Sequence, residues 1–313
     1  MAEKLRLPPE QQGSESIEKM ETNFESVRER LKDEHLLVDD GYDYTSEKPP
    51  KILPTLFHGT SAWLEPDIKE HGLDNNLESV DDIMDLFSIH PDLERLAMMA
   101  FFVLKNHKTA QDTRKLNDAN KIYATYGYHV AQQFTKGSEL LVQWVVIMKK
   151  EYPSLDNKGT FESFISRIKS EIQPIDSHKK RLLMSVLQPD GLIVHFRANA
   201  NELENFGYHP AEYLKGRKGR KELLDKIIWA RKLYLRHAKG DTVNLKESSE
   251  MWPYIQNAVF VVEKKGFTDF ERVPLSDIVQ LYLRAHTHSE ERFDKISPKS
   301  ITKMEKVSAI VIQ

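Results

Sequence analysis

Apolar residues near the start of the chain recur every three or four positions, at Ile17, Met20, Phe24, Val27 and Leu31. That spacing predicts one amphipathic helix from about Ser16 to Leu31. The residues before it are polar and predict a disordered tail. Asp39, Asp40, Asp43 and the Pro49-Pro50 pair predict a linker. From Lys51 the pattern changes. Lys51 to Phe57 predicts a strand that stops at His58, followed by a turn through Gly59, Thr60 and Ser61. A helix of about two turns comes next, with Pro66 in its first turn and Gly72 just past its end. Val80, Ile83, Met84, Leu86 and Phe87 predict a helix that Pro91 interrupts. Leu93, Leu96, Ala97, Ala100, Phe101 and Leu104 give a second helix one broad core face. Residues 107–120 carry no periodicity and predict a loop.

The same strand–turn–helix order then returns. Lys121 to Thr125 predicts a short strand, and a helix follows with Val130, Ala131 and Phe134 on its inner face. Leu140 to Ile147 predicts a fully buried strand. Two helices around 161–172 and 177–187 flank Pro174. Leu192 to Phe196 is a strand on which His195 has a structural place. Ala258 to Val262 predicts a strand, a turn through Gly266 follows, and Ser308 to Ile312 predicts an edge strand. Glu290 and Glu291 fall in an expected loop. Short strands separated by helices predict an α+β fold.

Composition and charge remove several function classes. There is no cysteine among the 313 residues. Disulfides, thiolate catalysis and cysteine–zinc sites are therefore excluded. No window approaches the apolar length of a membrane span, and the first residues lack the apolar core of a signal peptide. No two histidines stand four apart as a helical zinc motif requires; the closest pair is His286 and His288. The net charge of −3 hides one basic stretch, residues 213–239. Lys215, Arg217, Lys218, Arg220, Lys221, Lys226, Arg231, Lys232, Arg236 and Lys239 face only Glu222 and Asp225 there. The stretch is either a solvated helix face or a contact for phosphates of a nucleic acid or another anionic partner.

The residues Leu56-Phe57-His58-Gly59-Thr60, and the later Lys121-Ile122-Tyr123-Ala124 with its aromatic-bearing helix, carry a family resemblance. In that order they resemble the ADP-ribosyltransferase superfamily, in the His-Tyr-Glu branch that includes poly-ADP-ribose polymerases and many bacterial and phage toxins. The resemblance covers roughly residues 51–147 and 254–283. It implies a split antiparallel β-sheet with flanking helices and a helical insertion at about 148–253, in a domain over 51–313. Residues 1–50 would form a helical and linker extension. The implied activity is NAD-dependent mono-ADP-ribosylation of a macromolecule, protein or nucleic acid, by a cytoplasmic or host-delivered toxin or effector, with an inhibitor or chaperone as a further partner.

By the resemblance, His58 bonds the adenosine ribose and the Gly59 backbone holds the nicotinamide amide. Thr60 shapes the ribose pocket, Tyr123 stacks on the nicotinamide, and Phe134, or less well Tyr128, forms its second wall. The third motif position departs from the family. The resemblance implies that the strand at Ala258 to Val262 pairs with a last strand at Arg272 to Leu283, introduced by Val273-Pro274; so aligned, Ala258 falls near the glutamate position, beside Asn257 and Gln256, with Glu250 and Glu263 too far along the chain. Asn257 is then the third catalytic candidate, and a missing glutamate implies single transfer rather than chain growth. A binding module for NAD, ADP-ribose or nucleic acid, and an RNA 2′-phosphotransferase, are the alternative functions.

Overall fold

The computed structural model describes residues 24–48, 51–74, 87–95, 122–135, 190–202, 205–206, 217–241, 272–284 and 291–307, with a few single positions between them. It is a mixed helix and sheet structure whose described sheets are small and antiparallel. The chain forms two compact units, one of residues 1–49 with 215–286 and one of residues 50–214 with 287–313. The N-terminal segment thus belongs to one unit with 215–286.

In the second unit, β1 runs from Leu56 to Ser61, so His58 lies inside the strand and not at its end. Pairing with β4 (Gly191–Phe196) continues through Gly59 to Ser61 and extends the strand past the expected turn. Ser61 then accepts a hydrogen bond from the Trp63 amide and caps a single tight turn. Helix α2 (Glu65–His71) follows with Pro66 in its first turn. It closes at Gly72, whose φ of +84° favours glycine, and where a Cβ would lie 2.0 Å from the Ile296 carbonyl oxygen.

The remaining strands are β2 (Leu73–Asp74), β3 (Ile122–Ala124), β5 (Asn205–Phe206), β6 (Glu291–Phe293), β7 (Lys295–Ile296) and β8 (Ile301–Val307). They form sheets in the orders β1-β4-β8, β3-β6-β5 and β2-β7. All of β4 is buried, so its sequence shows a continuous apolar run instead of an alternation. Between β1 and β3 there is one bridge, in which Phe57 and Thr125 exchange both backbone hydrogen bonds. Helix α3 (Tyr128–Phe134) follows β3.

The first unit contains α1 (residues 24–33), α4 (Arg217–Ala238) and α5 (Leu275–Arg284). Helix α5 replaces the last strand expected at Arg272–Leu283. Every residue from Asp277 to Arg284 is buried, but the polar residues Asp277, Gln280 and Arg284 recur at helical spacing among the apolar ones. Pro274 accepts hydrogen bonds from the Asp277 and Ile278 amides and starts the helix.

Asp277, Gln280 and Arg284 stand on one face of α5 and hold the N-terminal segment. Asp277 pairs with Arg28 at 3.0 Å, and Gln280 accepts from the Val38 amide at 2.8 Å. Arg284 donates to the Tyr44 hydroxyl at 2.9 Å and reaches Asp40 at 3.4 Å. Residues expected as a linker are therefore fixed by buried polar contacts.

The basic stretch is helix α4, and most of its described charge is internally matched. Arg217 and Lys221 approach Glu47, Lys218 approaches Glu222, and Lys221 also approaches Asp225, all within 3.8 Å. Arg220 is fully buried. It donates to the Ser46 and Asp43 carbonyls and to the Tyr42 hydroxyl, so it is a structural residue and not part of an exposed basic face. No described helix is long and apolar enough to cross a membrane.

Truncating Arg220 removes a fully buried guanidinium and its hydrogen bonds to the Ser46 and Asp43 carbonyls, which costs about 2–4 kcal/mol. Urea unfolding of Arg220→Ala should show that loss, while Lys218→Ala, an exposed change, should leave the midpoint unmoved. Equal midpoints for the two variants would show that the buried guanidinium does not hold this unit.

Candidate active site

Side chains alternate along a strand, and residues directly opposite on antiparallel strands share a side. Gly59 faces α3, because a Cβ there would lie 1.9 Å from the Ala131 carbonyl oxygen. Phe57 faces the same way and meets Tyr128 of α3 and His195 of β4 edge to face. Through the Phe57–Thr125 bridge this side continues onto β3, where it carries Tyr123, and onto β6, where it carries Arg292 opposite Tyr123. His58 and Thr60 occupy the other side of β1, and Ala124 and Glu291 that side of β3 and β6. A ring contact at 5.6 Å between Phe293, two residues beyond Glu291, and Phe196, the partner of Leu56, supports the assignment.

The predicted residues therefore separate into two groups. Gly59, Tyr123 and Phe134 lie on the α3 side, and His58 and Thr60 on the other. Gly59 lets the α3 backbone approach β1 closely, which brings Phe134 beside it, 57% exposed. Tyr128 is not a wall of the site. It is buried against Phe57, and its hydroxyl donates to Glu305 at 2.8 Å. His195 has the expected structural place, buried against Phe57 and 3.5 Å from Glu305. Asn257, with Ala258 and its expected strand, lies outside the described residues.

His58 joins the two sheets where their backbones part. Its Nδ1 lies 2.7 Å from the Tyr123 carbonyl oxygen. A carbonyl only accepts, so Nδ1 carries the hydrogen and donates. Burial lowers the imidazole pKa below its ordinary value, and the Tyr123 carbonyl opposes that shift only in part. With Nδ1 donating to the Tyr123 carbonyl, Nε2 of the neutral ring is left as an acceptor suited to a hydroxyl.

A carboxyl missing from the sequence reading stands on the same side as His58. Glu291 opens β6, where a loop was expected, and is fully buried. Among the described residues neither of its oxygens has a hydrogen-bond partner. Burial pushes its pKa up to about 8. A buried, unpartnered carboxyl is costly and marks a place where a ligand would supply the missing partner. The signal available in sequence was the alternation Glu291-Arg292-Phe293, three residues long and preceded by polar residues, too short to separate from a loop.

No protein-family model matches the chain, and neither a curated protein nor a solved structure matches it. Among the described residues no group of three or more histidines and carboxylates could hold a metal ion.

Because the folded carboxyl of Glu291 titrates near pH 8 and the unfolded one near 4.5, the protonated form favours folding. That contribution is complete below pH 4.5 and is lost as pH rises to about 8. Glu291→Gln removes the dependence. The unfolding free energy of the variant minus that of the parent should therefore rise from pH 5 to pH 8, by on the order of 3 kcal/mol. A difference that stays flat over this range would mean that the carboxyl is not held protonated by burial.

Proposed function

We propose that this chain is an NAD-dependent ADP-ribosyltransferase acting on a macromolecular acceptor. The observation that carries the reading is Glu291, a buried and unpartnered carboxyl on the same side of the strands as His58. It takes the third position that Asn257 was expected to fill. Strand orders β3-β6-β5 and β1-β4-β8, joined by one bridge, suit the split sheet that the resemblance implies. With a carboxyl present, single transfer no longer follows from a missing glutamate.

In the proposed reaction the bond between the ribose anomeric carbon and the nicotinamide nitrogen breaks, and its electron pair leaves with nicotinamide. An acceptor oxygen or nitrogen bonds to the same carbon and gives up one proton to solvent. Nε2 of His58 accepts from a ribose hydroxyl. The resemblance assigns the stacking on nicotinamide to Tyr123, which stands with the exposed Phe134 on the side of the strands opposite His58 and Glu291. Glu291 resists ionisation until a cationic ligand favours the carboxylate. The carboxylate then opposes the charge that develops on the ribose, where a dry site makes it most effective. The reading carries a cytoplasmic setting, the cell's own or a host's. Phosphate contacts by α4 find little support, since most of its described exposed charges face acids of the same unit.

Nicotinamide release and acceptor mass should be followed by mass spectrometry with protein, RNA and DNA acceptors. His58→Ala, Tyr123→Ala and Glu291→Gln should each slow release by about 10²- to 10³-fold while the proteins remain folded. Parental rates in all three folded variants would end the transferase reading.

A further inference from the structure

One row of three residues crosses the strands on the side of His58. The Phe57–Thr125 bridge sets His58 of β1 opposite Ala124 of β3, and Ala124 pairs with Glu291 of β6. The row runs from a half-buried histidine to a fully buried carboxyl, so its more open end is at β1. Among the described residues, neither Nε2 of His58 nor either Glu291 oxygen has a hydrogen-bond partner. Between these two groups the row carries only the methyl group of Ala124. We propose that Ala124 is the specificity-determining residue of the site: it leaves room between His58 and Glu291 for the vicinal hydroxyls of one ribose, the ribose that bears the nicotinamide. The inference rests on the transferase reading.

Length and size decide what fits. Adjacent strands lie about 4.8 Å apart, so His58 and Glu291, two strands apart, stand about 10 Å from each other along the row. Two hydrogen bonds of about 2.8 Å each, with a vicinal diol between them, fill such a span. Nδ1 of His58 is taken by the Tyr123 carbonyl, which leaves Nε2 to accept from one hydroxyl. The Glu291 carboxyl accepts from the neighbouring hydroxyl whether or not it holds a proton. The Cβ atoms of directly opposed residues lie about 5 Å apart, so a side chain larger than a methyl at position 124 extends into the space before the carboxyl. Valine fills that space, and a strand backbone favours valine over alanine. A ligand hydroxyl that completes buried polar groups is recognised sharply, because its absence leaves them unpaired.

The test compares NAD with its analogue lacking the 2′-hydroxyl of the nicotinamide ribose, on the full chain and on its Ala124→Val and Ala124→Ser variants. Calorimetry should show the parent binding NAD about 10-fold more tightly than the analogue. In Ala124→Val the NAD affinity should fall to that of the analogue, so that the preference disappears, while the melting temperature stays within about 3 °C of the parent. Ala124→Ser, a smaller change whose own hydroxyl can meet Glu291, should keep the fold and reduce the preference to about 3-fold. A parent that binds NAD and the analogue alike would overturn the proposal. A full preference retained in Ala124→Val or Ala124→Ser would overturn it as well, because position 124 then does not act on the hydroxyls. A melting temperature lowered by more than about 3 °C in Ala124→Val would show that the row is already filled and overturn it equally. If the parent binds neither dinucleotide and releases no nicotinamide, the transferase reading itself fails and this inference with it. That result differs from the others because it appears before any substitution.

Discussion

The hydrogen bond from His58 Nδ1 to the Tyr123 carbonyl organises the site. β1 and β3 share one bridge, and a longer ladder would have tied their backbones together. The imidazole instead satisfies a carbonyl that a neighbouring strand would otherwise bond. Two consequences follow from one contact. The ring is fixed in the tautomer whose Nε2 accepts, and Tyr123 is held at the point where the strands part. Gly59, next along β1, adds a steric condition. Only a residue without a Cβ allows α3 to close over the strand and bring Phe134 to the same place.

Opposite requirements are met on the two sides of these short strands. The side of His58 holds Glu291, whose burial pushes its carboxyl pKa up to about 8, together with the packed pair Phe196 and Phe293. The α3 side holds aromatic rings, with the Arg292 charge stacked on one of them. Strand alternation places these unlike environments within two adjacent residues of β6. An unpartnered buried carboxyl lowers stability, and its retention is intelligible if a ligand completes it.

The elements that were legible in the sequence are those with local signals. Gly72 closing α2, the buried strand around Leu192–Phe196, and the Tyr123 strand with its following helix all stand where turn chemistry and apolar spacing put them. What could not be read depended on distant partners. β1 extends past His58 because β4 pairs with it. The strand expected at α5 came from the resemblance, although Asp277, Gln280 and Arg284 recur there at helical spacing. Arg220 looked like part of a basic surface because nothing local announces that the Tyr42–Ser46 backbone folds over it. Glu291 was missed for the same reason. Its strand exists through pairing with β3 and β5, residues far away in the chain.

The central claim is that a neutral His58, locked to Tyr123, faces a dinucleotide through Nε2. Nitrogen NMR of the protein labelled at histidine tests this most directly. The account predicts that at pH 7 the His58 ring is neutral with hydrogen on Nδ1, and that adding NAD shifts its Nε2 resonance while Nδ1 stays protonated. A His58 ring that is cationic at pH 7, carries its hydrogen on Nε2, or ignores saturating NAD would contradict it.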